Sequence, residues 1–133
     1  MKAKATLSNG FQSAIDNGRG HSFITDLPEG ANGEDTGAMA LEVCVMSLAG
    51  CVTTIFKMMA AKMRLDIDSI EAEVEAVKGD KTITEAKVIA KIKSNADADK
   101  IEKCFKMTVE TCPVGVLFAN AGVKLEESFE IVK

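Results

Sequence analysis

Two of the four cysteines in this chain stand where a thiol could do chemistry. Cys51 falls inside a long apolar segment, Leu41-Glu42-Val43-Cys44-Val45-Met46-Ser47-Leu48-Ala49-Gly50-Cys51-Val52-Thr53-Thr54. The small Ala49 and Gly50 beside it leave room for a reagent to approach. Cys112 is followed directly by Pro113, which stops or redirects a helix, so its side chain can reach out from a helix end. A thiol that can be reached is a nucleophile and a redox centre. Nothing else in the sequence offers comparable chemistry.

Helix geometry limits which cysteines can meet. Cys44 and Cys51 are seven residues apart, about 10 Å along a helix, and Cys104 and Cys112 are eight apart, about 12 Å. Both spans exceed the roughly 7 Å between Cα atoms that a disulfide allows. An internal bridge must therefore join one of the first pair to one of the second. Cys44, between Val43 and Val45, reads as core, and Cys104 lies within an amphipathic stripe as inert filler. Cys51 with Cys112 is the preferred pairing that remains. Spacing alone still favours the plain alternative that all four simply pack, since free cysteine is among the most buried residue types. A metal site is disfavoured, because there is no Cys-x-x-Cys and a single histidine, His21, which reads as a surface or interface residue. No metal and no other cofactor is expected.

The rest of the composition narrows the class. A chain of 133 residues that is 47% hydrophobic and 27% charged reads as one folded domain spanning residues 1–133. A net charge of −4 disfavours a nucleic-acid surface, and without Trp or Tyr the usual stacking platforms are missing. The first residues, Met1-Lys2-Ala3-Lys4-Ala5-Thr6-Leu7, carry no apolar run of the signal-peptide kind, so a cytoplasmic location is expected. The longest uncharged run, Val43 to Phe56, is 14 residues against the roughly 20 of a bilayer span, which predicts a core helix and no membrane partner.

The elements that must position the cysteines follow from periodicity. Weak alternation broken by Gly10, Gly18, Gly20 and Pro28 predicts short strands at about 2–8, 11–16 and 21–26. A glycine-rich loop from Gly30 to Gly37 leads into a helix from about Ala38 to Met63, with Asp35 or Thr36 as N-cap. Because that helix is apolar nearly all round, one small sheet cannot cover it, and a homodimer with the helix near its interface is expected. Residues 70–77 and 83–93 alternate with period two, even-numbered positions inward: Ile70, Ala72, Val74 and Ala76, then Ala86, Val88, Ala90 and Ile92. Paired positions must then sum to an even number. An odd loop, three residues with Gly79 at positive φ, satisfies that requirement. Ser94 and Asp97 are spaced as a capping box for a helix that buries Ile101, Cys104, Phe105, Thr108 and Cys112. A helical turn from Pro113 and a last strand from about Gly122 to Val132 complete an α+β fold.

At Leu41-Glu42, at Ser47-Leu48-Ala49-Gly50-Cys51 and at Thr111-Cys112-Pro113-Val114 the chain resembles the OsmC/Ohr family of thiol-dependent hydroperoxide reductases. It is closest to the OsmC-like branch, and Asp26-Leu27-Pro28 with the loop after it resembles the family's approach to its long helix. The resemblance implies an intertwined α+β homodimer with two active sites at the interface. It makes Cys51 the peroxidatic thiolate and Cys112 the resolving thiol of a Cys51–Cys112 disulfide, regenerated by a small dithiol of dihydrolipoyl type. A cation must favour the ionised form of Cys51. Of the two arginines, Arg64 lies thirteen residues on along the same helix, about 20 Å away, so Arg19 takes the role. The family's orienting glutamate stands one position before Glu42, where this chain has Leu41. Glu42, nine residues before Cys51 and on the opposite helical face, would serve the partner's site or favour the helix dipole.

The leading expectation is a cytoplasmic thiol peroxidase acting on organic hydroperoxides, with Val52, Ile55 and Met59 suiting an alkyl chain. Two others stand beside it: a non-catalytic dimeric module for a small apolar ligand, and a thiol or persulfide exchange protein using the same cysteines.

Overall fold

The glycine-punctuated segments at the start of the chain form an antiparallel meander, β1 (Lys4–Leu7), β2 (Ser13–Asp16) and β3 (Ser22–Thr25). In this computed structural model residues 1–132 are described, and the chain divides into two compact units, Met1–Cys44 and Val45–Lys133. In the first unit, Ala5 pairs with Ile15 and Ile15 with Phe23. The β2–β3 turn is tied by its own side chains: Asp16 accepts from the Gly18 N–H at 2.8 Å and Asn17 from the Arg19 N–H at 2.9 Å. Gly18 and Gly20 take the positive φ that lets the turn close around Arg19.

The glycine-rich loop is organised by Asp26. Its carboxylate is 3% exposed and accepts from the backbone N–H groups of Leu27, Glu34 and Thr36 and from the Thr36 hydroxyl, at 2.8–3.2 Å. Burial pushes the Asp26 carboxyl up, but these four hydrogen bonds outweigh it and hold the group below its usual range. Thr36 is thus spent on Asp26 and is not a helix cap, nor is Asp35, which lies in the loop at φ 52°. The helix starts at Ala40, because Ala38 is drawn into an extended bridge with Thr25. The Met39 N–H is satisfied by Glu42, whose Oε2 accepts from it at 2.8 Å. That is the return half of a capping box, with Glu42 in the first turn where a carboxylate also suits the dipole.

The long helix α1 (Ala40–Met63) realises its apolarity as one buried stripe, Leu48, Val52, Phe56, Met59 and Ala60. Met46 and Met58, off that stripe, are 60% and 49% exposed. By length and composition α1 would suit a bilayer, with a mean hydropathy of 1.8. Its stripe is instead buried within the second unit as a core helix, with Leu48 beside Gly115 and the Phe56 carbonyl facing Cys104. The end is a Schellman motif: Leu65 N–H donates to Ala60 C=O and Arg64 N–H to Ala61 C=O, with Arg64 left-handed at φ 54°.

In the second unit, β4 (Ser69–Lys78) and β5 (Ile83–Lys93) pair antiparallel with sums of 162, even as the alternation requires. The loop is not the three-residue turn expected. Four residues separate the strands, and a bulge on β5, with Lys78 opposite Ile83 but Val77 opposite Glu85, restores the register. Gly79 has no positive φ; it is small because a Cβ there would stand 2.8 Å from the Thr84 methyl. Ala86, Val88, Ala90 and Ile92 are buried on the central strand, while on edge strand β4 Ile70, Ala72 and Val74 are only half-buried and Ala76 is exposed. The opposite face pairs Glu71 with Lys91 and Glu75 with Lys87.

Helix α2 (Ala98–Thr111) is capped by Asp97 alone, which accepts from the N–H groups of Asp99 and Lys100. Ser94 is not part of a capping box. It is 4% exposed, donates to the Asp66 carbonyl at 2.6 Å and accepts from the Ala96 N–H. Helix α3 (Pro113–Asn120) follows, then β6 (Lys124–Val132), which runs parallel to β5. Parallel neighbours need a crossover, and α2 with α3 is that crossover. Phe105 of α2 meets Phe129 of β6 with ring centroids 5.0 Å apart. The fold is α+β, as the sequence pattern implies.

Candidate functional site

Cys112 is held by the junction of two helices. Its N–H donates to the Thr108 carbonyl and closes α2, while its own carbonyl accepts from Val116 and opens α3. Pro113 at the first position of α3 lacks the N–H that would otherwise go unpaired there. The Cys112 side chain is the N-cap, its Sγ accepting from the Gly115 N–H at 3.4 Å. The proline therefore turns the sulfur into the protein, and Cys112 is 1% exposed.

Cys51 lies mid-way along α1, half-buried, directly before the buried Val52. The two sulfurs are 2.9 Å apart, the Cys112 thiol donating to Cys51. Both are thiols, and a covalent bond at about 2.05 Å is less than 1 Å of movement away. Burial, then the hydrogen bond to Cys51, push the Cys112 thiol up to about 11, against the opposing pull of the Gly115 and Val114 amides. Cys112 is thus the protonated inner sulfur and Cys51 the outer one.

Cys104 is fully buried, its thiol pointing at the Phe56 carbonyl at 3.9 Å, and burial raises its pKa; it is core filler, as its stripe implies. Cys44 is not core. It is exposed, because valines at positions one before and one after point elsewhere on a helix and say nothing of burial at the position between.

The other two residues singled out belong to the first unit. Arg19 is exposed at the β2–β3 turn, and Glu42 is exposed with its carboxylate on the Met39 N–H. His21, also exposed, meets Asn17 at 3.0 Å. The structure thus brings Cys51 and Cys112 together, while the Glu42 carboxylate is held by the Met39 N–H and Arg19 is held at its turn by its backbone N–H. Gly115 escaped sequence reasoning, although the Cys-Pro step carried the signal: a proline at a helix start marks the residue before it as the cap. Among the described residues, no group of three or more His, Cys, Asp or Glu could hold a metal ion.

Comparison with known proteins places this geometry. No curated protein sequence matches the chain. Among solved structures it is similar to an OsmC-like protein from Mycoplasma pneumoniae, 16% identical, with a TM-score of 0.88 over 99% of this chain and 96% of that one. It is also similar to an organic hydroperoxide resistance protein OsmC from Legionella pneumophila, 16% identical, TM-score 0.74, covering 97% and 95%. A third is an organic hydroperoxide resistance protein from Elizabethkingia anophelis, 13% identical, TM-score 0.75, covering 98% and 94%. At such identities these likenesses show a shared fold. The family model for the OsmC-like protein matches residues 33–128, most of the chain and both cysteines, and the chain belongs to that family.

Proposed function

We propose that the protein is a thiol-dependent peroxidase that reduces organic hydroperoxides with Cys51 and Cys112. The observation that carries this reading is the 2.9 Å contact between one half-buried and one buried sulfur on different helices. Membership of a family with relatives named for organic hydroperoxide resistance supports the substrate class.

The Cys51 thiolate attacks the distal oxygen of the hydroperoxide. The O–O bond breaks, the alkoxide takes a proton and leaves as the alcohol, and Cys51 becomes a sulfenic acid. The Cys112 sulfur then attacks Cys51, the S–O bond breaks, and the departing hydroxide takes the Cys112 proton and leaves as water. The proton held on Cys112 serves the departing hydroxide, and the sulfur attacks as it gives that proton up. A dithiol restores the pair by exchange. Arg19 supplies the cation that favours the Cys51 thiolate, and Glu42 acts across a homodimer interface to orient it. The exposed Met46 and Met58 on α1 support that dimer.

The test is to mix reduced protein with stoichiometric cumene hydroperoxide and map disulfides by mass spectrometry. Rapid Cys51–Cys112 bridging in the wild type, absent in Cys51→Ser, is the expected result. No oxidation would sink the peroxidase. Slow oxidation alongside fast exchange with persulfides would transfer the pair to sulfur-transfer chemistry.

A further inference from the structure

The two sulfurs are not equivalent once they are joined. Cys51 is half-buried and open to a reagent, whereas Cys112 is 1% exposed and roofed by the first turn of α3. A disulfide is reduced by attack in line with the S–S bond, so the sulfur that can be reached is attacked and the other departs. The departing sulfur carries a full negative charge into a dry site, which costs several kcal/mol unless donors await it. One such donor is in place: the Gly115 N–H points at Cys112 Sγ at 3.4 Å, at the positive end of an eight-residue helix. A Cβ at Gly115 would stand 3.6 Å from that sulfur, ordinary contact, so the position holds its amide against the sulfur without crowding it.

Resting on the peroxidase reading for the presence of a reductant, we propose that regeneration runs in one direction only. The dithiol attacks Cys51, and the first turn of α3 receives Cys112 as the leaving thiolate. In the first step a reductant thiolate bonds to Cys51 Sγ, the Cys51–Cys112 bond breaks, and its electron pair stays on Cys112. A proton released by the reductant neutralises it. In the second step the other reductant sulfur, as thiolate, attacks the reductant sulfur held on Cys51. Cys51 departs as a thiolate and the reductant leaves oxidised to its disulfide. Two electrons pass from the dithiol to the cysteine pair.

Burial on its own would make Cys112 a poor leaving group, and two things lessen that penalty. The Gly115 and Val114 amides favour the ionised sulfur, and the repulsive influence of an ionisable Cys51 disappears once Cys51 is in a mixed disulfide. Burial then has a second use: the freed Cys112 is soon protonated and returns slowly to attack the mixed disulfide, so the second reductant sulfur wins.

The full chain is oxidised with diamide, so that no step depends on peroxide, and then given limiting 2-mercaptoethanol, a monothiol with no tethered second sulfur for the second step. After acid quench and alkylation, peptide mapping should find the adduct at Cys51 and a newly alkylated Cys112, by at least about tenfold over the reverse. Equal adducts, or more at Cys112, would overturn the proposal. Gly115→Pro removes the N–H and should slow reduction of the disulfide by about tenfold and shrink that preference. If Gly115→Pro does not fold, the wild-type mapping decides alone. Failure of peroxide to oxidise the pair would remove the peroxidase reading without touching this result, since diamide forms the disulfide independently.

Discussion

At the scale of the residue, Cys51 and Cys112 are set apart by environment and not by type. The inner thiol is pushed up to about 11 from an ordinary value of 9.0, chiefly by burial. Its protonated form is therefore favoured by folding. That contribution is fully present below about pH 9 and is lost as pH rises toward 11, since there the unfolded chain has already released the proton. Chemical denaturation across pH 8 to 11 should show wild-type stability falling relative to Cys112→Ser, and a parallel fall in both would remove the assignment. The same asymmetry governs oxidation. Cys112→Ser should still react once with cumene hydroperoxide, and the resulting sulfenic acid should be trapped by dimedone at Cys51. Cys51→Ser should give no adduct at any cysteine on the same time scale.

At the scale of the element, the site depends on helix ends more than on helix interiors. α2 delivers Cys112 from a start fixed by the Asp97 carboxylate on two N–H groups. Asp97→Ala should cost about 1 kcal/mol, read as a lower urea midpoint with unchanged slope. Ser94→Ala should cost at least as much, because the buried hydroxyl serves two backbone groups at once, the Asp66 carbonyl and the Ala96 N–H, and both lose that partner. A larger loss at Asp97 than at Ser94 would reverse that ranking.

These ends were also where the sequence was hardest to read. Period-two alternation settled which faces of β4 and β5 turn inward, and the stripe through Ile101, Cys104, Phe105 and Thr108 settled α2. Caps were misplaced wherever a polar side chain had a tertiary alternative. Thr36 went to Asp26, and Ser94 to Asp66, partners ten and twenty-eight residues away that no local pattern reports. The β4–β5 loop failed for a related reason: parity constrains the register but allows a bulge as readily as an odd loop. For the cysteines, helix rise excludes the two intrahelical pairs and leaves four combinations; setting Cys44 aside as core was the wrong ground for narrowing them, since Cys44 is exposed.

At the scale of the whole molecule, α1 leaves apolar surface that one chain does not cover, with Met46 and Met58 the largest exposed side chains on it. A second copy is the proposed cover, and Met58→Lys should shift the protein toward monomer in light scattering coupled to size exclusion. The shared site that such a dimer implies makes a sharper claim. Arg19→Ala, if the guanidinium favours the Cys51 thiolate, should slow alkylation and peroxide turnover by about tenfold, and Cys51→Ser should abolish turnover. Each homodimer is then poor or inactive. A heterodimer of the two, purified with different tags, distinguishes where the arginine acts. If Arg19 serves Cys51 of the other chain, one site has an intact cysteine and an intact arginine, and turnover should recover to about half that of the wild type. If Arg19 serves its own chain, one site lacks the cation and the other the sulfur, and no recovery follows. Recovery is the outcome expected of the proposed dimer with shared sites, and the exposure of Arg19 at its turn is compatible with it.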